Sequence, residues 1–282
     1  MSVKIVTDSL SDITPELAQR FGITVVPLYV NFGTESYRDN VDMSTEEFYH
    51  RLTQSKTLPT TSTVTPDLFA ELFSKLSRET NEILTITVSQ ILSAIYEMAL
   101  QGRAMIEENC HIEVIDSKSG IGGQMLLVIF AAQMAKAGAK LDNIIQWVRK
   151  AIPRVHVRVS FDTLEYLRRG GRIGKSQAFL GKLLKVNPVL GIKDGAAFPF
   201  ARPRNRAKAM DYLVNFAKGF KHIKALAIQD ALTPDEAKTL AERLKDLVPP
   251  KHIYRSKLSP VVGVHVGPHA LGVSVLEAND EH

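Results

Sequence analysis

The sequence predicts an α/β protein of two domains, the first built on a largely parallel sheet and the second on a mixed one. Through the first half, short apolar runs of strand length alternate with helix-length amphipathic ones, the pattern of strands joined by helical crossovers. In the second half, VNPVLGI and AAFPFAR flank Asp194-Gly195, a pair that favours a tight hairpin and so an antiparallel pairing. Between the halves stands Pro153, and a chain of 282 residues suits two medium domains. The expected division is 1–153 and 154–282.

Each element follows from local chemistry. Val3–Val6 forms a short apolar strand that Asp8-Ser9 ends. Thr14 caps a helix with Pro15 at its first position, and Gly22 stops it after Phe21. ITVVPLYV reads as a strand with an edge or bulge at Pro27. Ser44-Thr45-Glu46-Glu47 is a capping box for the next helix, LPTTSTVTP a loop, and Thr65-Pro66 the start of a helix through DLFAELFSKL. The strand EILTITV, the helix SAIYEMALQGRAMIEE, the strand HIEVID and the helices GGQMLLVIFAAQMAKAG and LDNIIQWVRKAI complete the first half. After Pro153 come the strand VHVRVSF, a short helix in DTLEYLRR, the loop RRGGRIGKS and a helix around FLGKLL. The hairpin, a helix over 206–218, the strand ALAIQD, a helix over 234–247 and the strands IYRSKL and LGVSVLE follow.

Composition narrows the function. With 45% hydrophobic and 23% charged residues, the chain has ordinary soluble composition. Lys+Arg 35 against Asp+Glu 30 leaves a net charge of only +5, too thin to announce a nucleic-acid protein. The surplus is uneven: Arg168, Arg169, Arg172, Lys175, Lys182 and Lys185 fall together, followed by Arg202, Arg204, Arg206 and Lys208. Such a face suits an acidic partner, a phosphate or an anionic membrane, or is simply solvated. Cys110 is the single cysteine, which excludes an internal disulfide and fits a reducing compartment. MSVKIVTD enters a strand with no signal segment, and the apolar run MLLVIFAA is far below the roughly 18 residues that span a bilayer. A cytoplasmic, soluble protein is expected.

Several motifs invite chemistry. GRIGKS approaches the phosphate-binding pattern G-x-x-x-x-G-K-[ST], but Arg169 stands where the first glycine belongs, and a helix precedes the loop where a strand should. SKSGIGGQ approaches the dinucleotide pattern, but Met125 replaces the third glycine, and tight strand-to-helix turning accounts for Gly120, Gly122 and Gly123. The histidines and the lone cysteine have no metal-ligand spacing, so neither metal nor cofactor is expected. Asp8, Asp116 and Asp162 end predicted strands, where they would bind a cation, act as bases or cap helices. Thr60–Thr63 and Ser89–Ser93 are hydroxyl-rich turns at helix starts, suited to capping or to holding a small anion. His265 sits between apolar neighbours in VVGVHVGPHALG, as a structural residue or as one that orients a carboxylate.

Together these segments resemble the DegV family, the fatty-acid-binding subunits of bacterial fatty acid kinase. The resemblance runs nearly end to end through KIVTDSLSDI, GITVVPLYVNFG, the P-T-T-S loop, SQILSAIY, VIDSKSG, LEYLRRGGRIG and GVHVGPHALGV. It implies that two α/β domains enclose a long-chain fatty acid whose carboxylate Thr61 and Ser93 would hydrogen-bond and His265 would help orient. It implies head-group or partner contacts at Ser62, Arg172 and Arg202. It also implies a non-enzymatic carrier that presents the carboxylate to a fatty acid kinase catalytic subunit, the latter supplying nucleotide and metal, with transient contact to anionic membrane. Gln90, Ala94 and Ile95 depart from the family's usual SSxLSGTY, beside the implied head-group site, and TSTVT replaces the usual TSQPS. The rival reading is an autonomous phosphotransferase using Asp8, Asp116 or His265.

Overall fold

The computed structural model describes residues 2–107, 109–182 and 186–279. In chain order, β1 (Lys4–Asp8), α1 (Pro15–Phe21), β2 (Ile23–Val26), β3 (Tyr29–Phe32), β4 (Glu35–Arg38), α2 (Thr45–Gln54) and β5 (Thr60–Ser62) come first. Then come α3 (Pro66–Ser77), β6 (Glu82–Thr87), α4 (Ile95–Ala104), β7 (His111–Asp116), α5 (Ile121–Lys136) and α6 (Leu141–Ala151). The second half contains β8 (Val155–Ser160), α7 (Glu165–Arg169), β9 (Val189–Lys193), β10 (Ala196–Ala201), α8 (Arg206–Lys218) and β11 (Ile223–Asp230). It ends with α9 (Pro234–Leu244), β12 (Ile253–Lys257), α10 (Pro260–Val266) and β13 (Leu271–Glu277).

Local signals account for many of these bounds. Thr14 accepts a hydrogen bond from the Leu17 amide, and Gly22 closes α1 at φ 67°, a left-handed turn that glycine adopts without cost. Ser44 Oγ accepts from the Glu47 amide at 3.1 Å, as half of the expected capping box. Asp194 and Gly195 both have positive φ, 52° and 81°, which closes the β9–β10 hairpin.

Among the described residues the strands form three sheets. One is parallel, in the order β2-β1-β6-β7; one is mixed, in the order β10-β9-β8-β13-β11-β12, antiparallel except where β11 meets β12; the third is antiparallel, in the order β4-β3-β5. The third sheet departs from expectation. Pro27 does not bulge one strand but divides ITVVPLYV into β2 and β3, which pair in different sheets, and the threonine loop supplies β5 beside β3. VVGVHV was not expected to be helical, yet Pro260 sits at the first position of α10, where its missing amide costs nothing. The helix around FLGKLL is instead a 3-10 stretch, Gly174–Lys182, and its continuation through Lys185 lies outside the described residues. Glu108, at the end of the expected SAIYEMALQGRAMIEE helix, also lies outside them, and α4 ends at Ala104.

The two larger sheets meet across α5. Its residues are buried on every face, packing with Ile5, Leu84 and Ile86 of the parallel sheet and with Ala225, Ala227 and Leu276 of the mixed one. Gly122 and Gly123 make this approach possible: a Cβ on Gly122 would stand 2.7 Å from Ser274 Oγ, and one on Gly123 2.7 Å from Val157 Cγ2. The glycines of SKSGIGGQ therefore serve close helix–sheet packing. Gly123→Ala is expected to destabilise the protein by about 1–3 kcal/mol, overpacking outweighing the better helix propensity of alanine. Denaturant unfolding measures it, and an unchanged midpoint would refute the tight seam. No helix among the described residues is long and apolar enough to cross a membrane.

Candidate functional site

Between the C-terminal ends of the parallel strands and the inner face of the mixed sheet lies a partly open, largely apolar cavity. Leu10 and Leu28 wall it on the first side, Val159 and Leu190 on the second, and Val261 and Val262 of α10 along a third. Val157, Val159 and Leu190 belong to a continuous apolar cluster with the core, so the cavity is a gap left in hydrophobic packing. Such a gap takes an apolar guest more readily than water.

Four polar residues interrupt this lining: Thr61, Ser93, Arg172 and His265. Thr61 lies on β5 opposite Val30, its side chain turned to the cavity, and its Oγ1 stands 3.1 Å from His265 Nε2. His265 occupies the last turn of α10, packed so closely on Gly170 that a Cβ there would lie 2.2 Å from Nδ1. Burial, with the Arg172 charge second, pushes the His265 imidazole down to about 4, so the ring is neutral at ordinary pH. Nδ1 is buried without a hydrogen-bond partner among the described residues. The less costly tautomer places the proton on Nε2, since the other would bury an unsatisfied N–H. In that arrangement Nε2–H donates to Thr61, leaving the threonine hydroxyl proton to donate into the cavity. Ser93 is similarly arranged. Its Oγ accepts from the Ile95 amide at 3.4 Å and keeps its own proton for a guest. Arg172 bridges the two halves at the rim, donating through Nε to Leu92 O at 3.1 Å and through Nη1 to Gly170 O at 2.8 Å.

A neutral His265 has a measurable consequence. Its pKa is depressed, so its contribution to stability is full above the unfolded value near 6.5 and is lost as pH falls from there toward about 4. Its ring resonances are expected to show no titration between pH 5.5 and 8 by NMR. An inflection near pH 6.5 would place the ring in water instead.

Ser62 and Arg202 do not join this group. Strand alternation turns Ser62 to the opposite face of β5, where it is exposed and its Oγ accepts from Asn31 Nδ2 at 3.2 Å. Arg202 donates to Ala178 O at 3.0 Å and lines a separate surface groove with Lys208, Tyr212 and Arg243. The basic cluster is partly neutralised: Arg168 and Arg169 both pair with Glu165 at 2.6 Å, and Arg206 pairs with Glu236 and Asp162. In the GRIGKS loop, Gly174 takes φ 52° and lies against Ala197 O, where a Cβ would stand at 2.8 Å. The glycine fits the loop onto β10.

Asp8, Asp116 and Asp162 do not line the cavity. Asp8 is buried and caps the turn after β1, accepting from the Val88 amide at 2.8 Å, the Leu10 amide at 3.1 Å and Gln124 Nε2 at 3.1 Å. Asp116 accepts from the Lys118 amide at 2.8 Å, and Asp162 from Asn187 Nδ2 at 2.9 Å. Sequence reasoning missed two further buried carboxylates, Asp12 and Asp39, which sit below α10. Nothing in their neighbours' hydropathy distinguishes them from surface loop residues. The apolar wall of α10 was missed with its helix; Ser259-Pro260 was the signal available for it.

Fold and cavity together define an α/β protein of three sheets with an apolar chamber and a hydroxyl-lined polar end. The model of the DegV family matches residues 2–278. A DegV domain-containing protein of Caldanaerobacter subterraneus is 36% identical over 274 residues, which is 96% of this chain and 97% of that one. Among solved structures, a fatty-acid-binding DegV family protein from Thermus thermophilus superposes with a TM-score of 0.91 at 30% identity, covering 99% of this chain and 100% of that one. A stearic acid-binding protein from Eubacterium ventriosum superposes with a TM-score of 0.89 at 27% identity, covering 98% of each chain. The chain belongs to the DegV family.

Proposed function

We propose that the protein binds one long-chain fatty acid, tail in the cavity and carboxylate at Thr61, Ser93 and His265, and carries it to a kinase for conversion to acyl phosphate. The observation that carries this reading is the chamber itself: an apolar lining interrupted by two hydroxyls and a neutral imidazole. A tail of about fourteen methylenes contributes on the order of 11 kcal/mol at about 0.8 each before ordering costs, ample for retention. The carboxylate, taken out of water, needs donors, which the Thr61 and Ser93 hydroxyls supply. Arg172 at the rim adds positive charge without direct neutralisation by a carboxylate among the described residues. Phosphoryl transfer requires a nucleotide and a charge clamp, and in this reading the partner brings both. Exposed basic residues such as Arg172, Lys175 and Arg202 draw that partner, or anionic lipid, to the second half of the chain. The fatty-acid-binding proteins of the same fold support the lipid part of the reading.

Mass spectrometry of an organic extract, beside a native mass spectrum, tests it. One fatty acid per chain is expected. An empty extract with no uptake of added oleate or palmitate overturns the reading, and ATP turnover by the purified protein alone would replace the carrier with a phosphotransferase.

A further inference from the structure

Below α10, three carboxylates are buried together: Asp8, Asp12 and Asp39, at 1%, 5% and 2% exposure. Asp8 ends β1 and Asp12 closes the turn that follows it, and Asp39 comes from the loop after β4. Asp12 reaches across to the second half of the chain at two points, accepting from the Ser259 amide at 2.9 Å and from Gln229 Nε2 at 2.8 Å. Ser259 is the residue before α10, whose Val261, Val262 and His265 face the cavity. Asp39 is stranger: among the described residues neither carboxylate oxygen accepts a hydrogen bond of ordinary geometry, and the Ser259 hydroxyl beside it also lacks one. α10 also presses on α2, where a Cβ on Gly263 would lie 2.4 Å from Phe48 Cε1. Both α2 and the carboxylates thus hold the helix in place.

The surrounding charges do not neutralise the cluster. Tyr49 from α2 faces it and donates to Leu258 O at 3.1 Å, its phenol held neutral by burial and by Asp12, Asp230 and Asp39. Asp230 from β11 adds negative charge, and the cations that act on Asp230, Lys257 and Arg255, are exposed. Lys257 is engaged with Glu46 at 2.8 Å. On α10 itself the titratable group is His265, at the far end of the helix.

We infer that Asp12 and Asp39 are positioning residues for the fatty-acid cavity: Asp12 ties Ser259 and Gln229 to the first half of the chain, and Asp39, buried under α10 without a hydrogen-bonding partner among the described residues, keeps that seam closed as an uncharged acid and opens it when charged and hydrated. Burial pushes Asp39 up to about 7, against the opposing pull of the Ser9 and Ser259 hydroxyls and the Val261 amide, and burial also raises Asp12. A closed seam therefore binds a proton that an open, hydrated one gives up, and by linkage rising pH favours opening. For a carboxyl raised above its unfolded value, the stabilising effect is full at low pH and is lost as pH rises through about 7.

The inference rests on the fatty-acid reading of the cavity, and two measurements separate their failures. The first is oleate affinity of the wild-type protein and of Asp39→Asn, whose amide imitates the protonated acid. Wild-type affinity is expected to fall roughly tenfold between pH 6 and 8, as a proton held near pH 7 is lost, while Asp39→Asn stays tight to pH 8. Identical pH profiles overturn the inference. The second needs no lipid: the gap in melting temperature between Asp39→Asn and wild type is expected to widen as pH rises from 5.5 to 8.5. A constant gap overturns the proton clamp whatever the ligand. A widening gap in a protein that binds no oleate keeps the clamp and removes the fatty-acid reading. Asp12→Ala, which lacks both bonds across the seam, is expected to release oleate faster at every pH; a wild-type rate removes Asp12 from the clamp.

Discussion

The double substitution Thr61→Ala with Ser93→Ala is expected to weaken oleate binding by at least about a hundredfold while leaving the protein folded. A hydrogen bond to a charged group contributes about 1.5–3 kcal/mol, and removing both donors leaves a carboxylate desolvated beside a neutral imidazole. Neither hydroxyl supports secondary structure strongly: Ser93 Oγ accepts only at 3.4 Å, and Thr61 keeps its backbone pairing with Val30 in any variant. Calorimetric titration with oleate, beside a thermal melt, reads the result. Unchanged affinity in a well-folded double variant would show that the carboxylate lies elsewhere.

Val159→Trp is expected to shorten the tail the cavity accepts. Val159 projects from β8 into the chamber opposite Leu10 and Leu28, and an indole there occupies space that a bound chain would need. Excluding about four methylenes at about 0.8 kcal/mol each costs about 3 kcal/mol, roughly a hundredfold in affinity for palmitate or oleate. A ten-carbon acid should lose far less. The comparison between chain lengths matters more than either number, since destabilisation would weaken both equally. Equal losses, or a variant that still prefers the long chain, would place the tail along another path.

Elements with strong chemical punctuation were legible before the structure. α1 begins after Thr14 and ends at Gly22, and the Asp194-Gly195 hairpin lies where two positive φ values are needed. What escaped was set by tertiary contacts. β5 is only three residues long, Thr60–Ser62, and is a strand only because β3 lies beside it. VVGVHV carries β-branched residues that suggest a strand, but Pro260 and the packing of Gly263 on Phe48 make it helical. The candidate site shows the same division. Thr61, Ser93 and His265 were named from motifs, whereas the chamber they border draws its walls from segments scattered between Leu10 and Val266, with no local pattern to announce it. Ser62 lies one step along the strand from Thr61 and so on its opposite, exposed face, where only a contact with a partner is open to it.

The position of β13 bears on how such a chain is made. This strand, Leu271–Glu277, lies at the centre of the mixed sheet, between β8 and β11, although it comes near the end of the sequence. On a ribosome, β8 and β11 emerge long before the strand that joins them, so the nascent second half must wait with both edges unpaired. Val157 and Val159, which face the cavity in the folded chain, lie on β8, the strand that waits for β13. The wall of the cavity on β8 is therefore completed only after β11 has been made and β13 has inserted between the two.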